Sequence, residues 1–201
     1  MSVDKMVVIH GRGPDTLPRV VEVDANGRLI SSIFIPAGTT VGLAAGEMHI
    51  GQMGSESITI PVTPTVTAGL YVIGDCVGGV LEFANAARVA GMGGVVKNLL
   101  IVDDAGQDVA LELWLFDQAI TAIGDTNPWV CTEAELHNLV AIINSVDGTW
   151  FATGTPSVNA VEVSQQYTCV GTSLFGQLVT RGAPTFVATD DVTCILGLLQ
   201  D

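Results

Sequence analysis

Apolar and polar positions alternate in short runs through residues 57–201, the period of two that puts successive side chains on opposite faces of a strand. Ser57-Ile58-Thr59-Ile60-Pro61-Val62 opens the series, and its Pro61 marks a sheet edge. Asp75 to Phe83 follows, with Gly78-Gly79 as a bulge or bend. The runs Val95–Val102, Val109–Phe116, Leu139–Ile143, Val158–Val163, Leu174–Val179 and Val192–Leu199 bring the count to eight. Thr132 caps one short helical turn at Glu133-Ala134-Glu135, and proline and glycine break every helical candidate outside residues 132–144. The pattern predicts an all-β domain at residues 57–201, a jelly-roll-like antiparallel β-sandwich.

Residues 1–56 read differently. Arg19 to Val23 leads through Asp24-Ala25-Asn26-Gly27 into Arg28 to Ile35, a hairpin at about 19–35 with Asn-Gly at its corner. Two strands alone bury too little to be stable, so Val20, Val21, Val23, Leu29, Ile30, Ile33, Phe34 and Ile35 need a partner. A Gly-rich linker follows, from Ala37 to Ser55. The expectation is an extended docking arm whose hairpin pairs with a neighbouring subunit. The competing arrangement folds the same hairpin back on its own domain.

Composition sharpens the picture. Charged residues are 14% of the chain and apolar residues 48%, which suggests apolar surface buried between subunits. The net charge of −14 is concentrated in residues 58–201, where fifteen acids face only Arg88, Lys97 and Arg181. Such a surface repels phosphate backbones, so no nucleic-acid partner is expected. The start Met1-Ser2-Val3-Asp4-Lys5 lacks the order of a secretory signal, and no apolar run is long enough for a membrane helix. Synthesis in the cytoplasm without membrane attachment is the expectation. Cys76, Cys131, Cys169 and Cys194 are far apart and are expected as thiols in that compartment.

The candidate chemistry is sparse. Gly91-Met92-Gly93-Gly94 lacks the Gly-Lys-Ser/Thr ending of a phosphate loop. Asp103, Asp104 and Asp108 gather around one turn and invite Ca²⁺, without EF-hand spacing; an ordinary hairpin turn fits them better. His137 with Ser145 and Asp147 shows no nucleophile elbow, and Glu133 with Glu135 suits a helix N-terminus better than a glycosidase pair. Trp114 lies within an apolar strand and is expected in the core. Trp129 and Trp150 stand beside turns, where they either cap the core or present exposed aromatic contacts. No enzyme activity, metal or cofactor is expected.

Several stretches resemble a recurrent class of tailed-bacteriophage virion proteins. These are Ile60-Pro61-Val62-Thr63-Pro64-Thr65-Val66-Thr67-Ala68-Gly69-Leu70-Tyr71 with Gly74 to Gly79, Phe83 to Val89, Gly93 to Lys97, Leu113 to Asp117, and Arg181-Gly182-Ala183-Pro184-Thr185 through to Asp201. The resemblance covers most of residues 58–201. It implies a capsid cement or decoration protein, or a head- or tail-fibre subunit, with an N-terminal anchor and a β-rich outer domain, often trimeric. The implied partners are the major capsid protein and further copies of the chain. The implied location is the capsid exterior, and the fibre alternative implies contact with host-surface glycans.

Overall fold

The computed structural model describes Val7–Ile9, Arg19–Val23, Leu29–Ile30, residues 56–152 and residues 154–201. The chain divides into two compact units, Met1–Met48 and His49–Asp201. The first contains strands β1 (Val7–Ile9), β2 (Arg19–Val23) and β3 (Leu29–Ile30) in the order β1-β2-β3. Val23 pairs with Leu29 and Glu22 with Ile30, antiparallel. Val7 to Ile9 pair with Val21 to Arg19 on its other side, a strand the alternation did not mark.

Among its described residues the second unit is all β apart from the helical turn Glu133–Leu136 and a 3-10 turn at Ser145–Asp147. Its strands are β4 (Glu56–Val62), β5 (Gly69–Leu70), β6 (Leu81–Phe83), β7 (Gly93–Asp103), β8 (Leu111–Phe116), β9 (Leu139–Asn144), β10 (Thr149–Ala152), β11 (Ser157–Thr168), β12 (Leu174–Thr180), β13 (Thr185–Phe186) and β14 (Val192–Gln200). A five-stranded sheet has the order β10-β11-β7-β14-β4, and a four-stranded sheet the order β6-β12-β8-β9. Pairing is nested: β4 with β14, β5 with β13, β6 with β12, β7 with β11 and β8 with β9, all antiparallel. A long hairpin paired in this way and then rolled up brings β14 beside β7 and β12 beside β8, as observed. That is the jelly roll: two sheets, Greek-key connections and one shared interior.

The interior follows from the alternation. Leu111, Leu113 and Leu115 of β8 point inward, as do Val192, Cys194, Leu196 and Leu198 of β14, and all join one buried cluster. Strand β7 changes phase: Leu99 and Ile101 are buried, Lys97 and Asn98 are both exposed, and Val96 is buried again. The register shifts at the same level against β11 and β14, so a β-bulge lets one strand keep an apolar face inward on both sides of a bend.

The run 75–83, expected as one strand, is interrupted. Asp75 and Cys76 form isolated bridges and only Leu81–Phe83 is regular strand. Gly78 causes the break: its φ is +71°, and a Cβ there would lie 2.3 Å from the Pro64 Cβ. The helical turn at Glu133–Leu136 carries the expected Thr132 cap, completed by the Glu135 side chain in a capping box.

Candidate interaction surface

The sheet β6-β12-β8-β9 presents Gln177 and Val179 of β12 and Trp114 and Phe116 of β8 on the side away from the interior. Gln177, Val179 and Phe116 are nonetheless completely buried. The segment before β6 lies alongside β12, bridged from Cys76 to Val179, and the segment between β8 and β9 is bonded to it in turn. Cys76 N–H donates to the Asn127 carbonyl, Thr126 N–H to the Cys76 carbonyl and Trp129 N–H to the Gly74 carbonyl. These bonds lay residues 126–129 beside residues 74–76. The Trp129 ring then rests on Trp114 and Phe116, with centroids 5.8 and 6.3 Å apart. Trp114 is therefore not part of the interior cluster: it has the opposite parity to Leu113 and Leu115 and is half-buried under a loop.

Asp125 fastens this cover. Its carboxylate accepts the Tyr71 hydroxyl and the N–H groups of Thr67 and Gly78, so one acid ties together segments far apart in sequence. Burial foremost, and then the hydrogen bond with Asp125, pushes the Tyr71 hydroxyl well above the ordinary tyrosine range. Nearby, the Glu112 carboxylate accepts from Arg181 at 2.7 Å and from the Trp114 indole N–H at 3.1 Å. Arg181 holds Glu112 below the usual carboxylate range, against the desolvation that raises it.

One end of the roll is apolar. In the β5·β13 ribbon Phe186 turns inward and packs edge-on against Tyr71 at 5.2 Å. Leu70, Val72 and Val187 take the other side and, with Ile73, stay 64–74% exposed. The sequence signal for this tip was the apolar run Leu70-Tyr71-Val72-Ile73 bracketed by Gly69 and Gly74. Its neighbouring turn is held by Asp191, whose carboxylate accepts the N–H groups of Val187 and Ala188.

Several further polar side chains are bonded within the fold. Asp103 accepts the N–H groups of Ala105, Gln107 and Asp108. Burial raises its carboxyl while those bonds act in the opposite direction. Both Asp103 carboxylate oxygens are thus engaged by backbone donors. Ser145, 1% exposed, accepts the Leu111 N–H, whereas His137 is exposed beyond the helical turn. Glu135 accepts from Thr121 N–H and from the Thr132 N–H and hydroxyl, which draw its carboxyl down to about 2. The four cysteines are free; burial pushes Cys76 and Cys169 up to about 11 and Cys194 to about 12. Among the described residues no three His, Cys, Asp or Glu side chains gather as a metal site, and no helix is long and apolar enough to cross a membrane.

Trp129 and Trp150 are both half-buried. Trp129 lies on Trp114, and Trp150 packs against the interior from β10. Of the hairpin residues, Val20, Val21 and Val23 lie on β2 and Leu29 and Ile30 on β3. Ile33, Phe34 and Ile35 lie outside the described residues.

Comparison with known proteins returns no relative: no family model, no curated protein and no solved structure matches this chain.

Proposed function

We propose that this chain is a non-enzymatic structural subunit of a bacteriophage virion, a cement or decoration protein bound to the outside of the head shell. The observation that carries the reading is the division of labour along the chain. A closed, nested roll uses its carboxylates and amides to fasten its own loops, and displays Leu70, Val72, Ile73 and Val187 at one end. A separate strand-bearing unit, Met1–Met48, precedes it. The resemblance of residues 58–201 to virion proteins supplies the setting.

The mechanism is multivalent. The β1-β2-β3 sheet, in which β2 is paired on both sides, offers its outer strands β1 and β3 to the major capsid protein, the roll offers its apolar end, and linking the two raises the effective concentration of each contact. Shells from the parent particle, heated with and without the protein, test the role: a cement raises the temperature at which they rupture. Unchanged rupture rejects it. The alternative, a head- or tail-fibre subunit touching host glycans, draws on the half-exposed Trp129 and Trp150. Quenching of tryptophan fluorescence by host glycans, together with indifference to shells, would favour that role.

A further inference from the structure

Where β11, β7 and β14 lie side by side, the middle strand carries no side chain at two successive positions, Gly93 and Gly94. Both are fixed by close approach of the neighbours: a Cβ on Gly93 would run into the Tyr167 carbonyl oxygen, and one on Gly94 into that of Leu199. A cavity of about 360 Å³ opens there, lined by Gly94, Val95, Gln166, Tyr167, Thr168 and Asp201. Its volume falls at the small end of the range for ligand sites. Gln166 pairs with Val95 and Thr168 with Gly93, while the Asp201 N–H donates to the Gly93 carbonyl. Side chains of β11 and of Asp201 therefore flank the bare stretch of β7 from either side.

The walls of this slot are polar and unengaged. Gln166, Thr168 and Asp201 are exposed, and among the described residues their side chains make no hydrogen bond or ion pair. Elsewhere on the roll the carboxylates of Asp103, Asp125, Asp191 and Glu135 are each taken up by donors of the fold. Tyr167 turns the other way: it is 6% exposed, joins the interior cluster and donates its hydroxyl to the Ala86 carbonyl at 2.6 Å. Apart from Tyr167, Val95 is the one apolar side chain in the lining.

The free groups select the ligand. Asp201 only accepts hydrogen bonds, whereas Gln166 and Thr168 each bring a donor as well as an acceptor. An anion would meet Asp201 within a chain of net charge −14 and is repelled. A cation satisfies the carboxylate but leaves the Gln166 amide N–H and the Thr168 O–H without acceptors, and an apolar ligand leaves all three groups unpaired. Hydroxyl groups on adjacent carbons donate and accept together, and so answer all three. We propose that this slot binds the hydroxylated edge of a neutral saccharide. It lies apart from Trp129, on the outer side of the other sheet, and from Trp150, which pairs with Asn159 towards the far end of β11. Its chemistry does not depend on the cement reading.

Titrating the isotope-labelled full chain with D-glucose, D-galactose, D-mannose and N-acetyl-D-glucosamine in turn, followed by NMR, tests this. At least one sugar is expected to shift the backbone amides of residues 93–95, 166–168 and 201 saturably, with a dissociation constant on the order of 1 mM, since few hydrogen bonds and no aromatic face hold it. Asp201→Asn and Thr168→Val each weaken that binding about tenfold, the loss of one hydrogen bond to a hydroxyl. Asp147→Asn, which removes an exposed acid elsewhere, leaves it unchanged. The substituted positions are exposed, and the same spectra report whether the fold is kept. Four sugars that leave these amides unmoved overturn the proposal. So do shifts that gather at Trp129 or Trp150 instead, and so does n-butylammonium that saturates the slot when the sugars do not.

Discussion

The Tyr71 hydroxyl donates to the Asp125 carboxylate, 2.7 Å from Oδ2 and 2.8 Å from Oδ1, across 54 residues of sequence. The same carboxylate takes the Thr67 N–H at 2.6 Å. The loop that roofs the β6-β12-β8-β9 sheet is therefore held at its far point by one side chain, and removing that side chain strands several donors at once. Asp125→Ala is expected to cost about 2–3 kcal/mol and Tyr71→Phe about 1 kcal/mol, since unpaired donors lose more than a deleted partner does. Urea denaturation measures both. A cost below about 0.5 kcal/mol for Asp125→Ala, within the range of an ordinary surface change, would mean the loop is held elsewhere.

Two glycines with different surroundings separate steric need from mere sequence preference. A Cβ on Gly94 would lie 1.9 Å from the Leu199 carbonyl oxygen of the adjacent strand, whereas one on Gly171 meets nothing within 4 Å. Gly94→Ala is expected to destabilise by roughly 3 kcal/mol and Gly171→Ala by less than about 0.5 kcal/mol. Equal melting temperatures for the two variants would contradict the close approach of β7 and β14.

The buried thiols and phenols set an alkaline limit. Burial raises the folded pKa of Cys76, Cys169 and Cys194, and of Tyr71 and Tyr167. The protonated forms are favoured by folding, so their contribution is complete below the unfolded pKa, 9.0 for the thiols and 10.0 for the phenols, and is lost as pH rises toward the folded values. Stability is expected to decline steadily above pH 9. A profile flat to pH 11 would contradict it. In the same protein Ellman's reagent should titrate the half-buried Cys131 first, and all four thiols only after denaturation.

On the acid side Glu135 behaves oppositely. Its folded pKa lies near 2 against an ordinary 4.5, so its stabilisation is present above 4.5 and disappears as pH falls toward 2. Its side chain is half-exposed to solvent, which screens the effect to a fraction of what the shift alone would give. Glu135→Gln is expected to lower the melting temperature at pH 6 and to converge with the wild type by pH 2. A constant gap across that range would assign the loss to packing instead.

Much of the roll was legible because period-two alternation is unmistakable where one strand face is buried. Strands β4, β7, β8, β9, β11, β12 and β14 all lie on runs that the alternation marked. It missed β5 and β13, two residues each, and β10, four residues inside a turn-rich stretch, because such pieces are shorter than the pattern needs. Trp114 was misplaced although parity with Leu113 was visible; a large aromatic on the outer face needs the Trp129 loop, which no local pattern announces. Nothing in the run Asp125-Thr126-Asn127-Pro128 distinguishes Asp125 from an ordinary turn acid. The two compact units meet at Met48/His49, within the glycine-rich segment expected as linker.

The most direct test of the virion assignment is cosedimentation with undecorated head shells from the parent particle, using the full chain and a chain lacking residues 1–48. The second unit's own fold is checked beforehand by circular dichroism. The full chain is expected to pellet with the shells in saturable amount, and the shortened chain to remain in solution. If neither pellets, or if both do so equally, the shell is not held through the N-terminal unit and the cement assignment is contradicted.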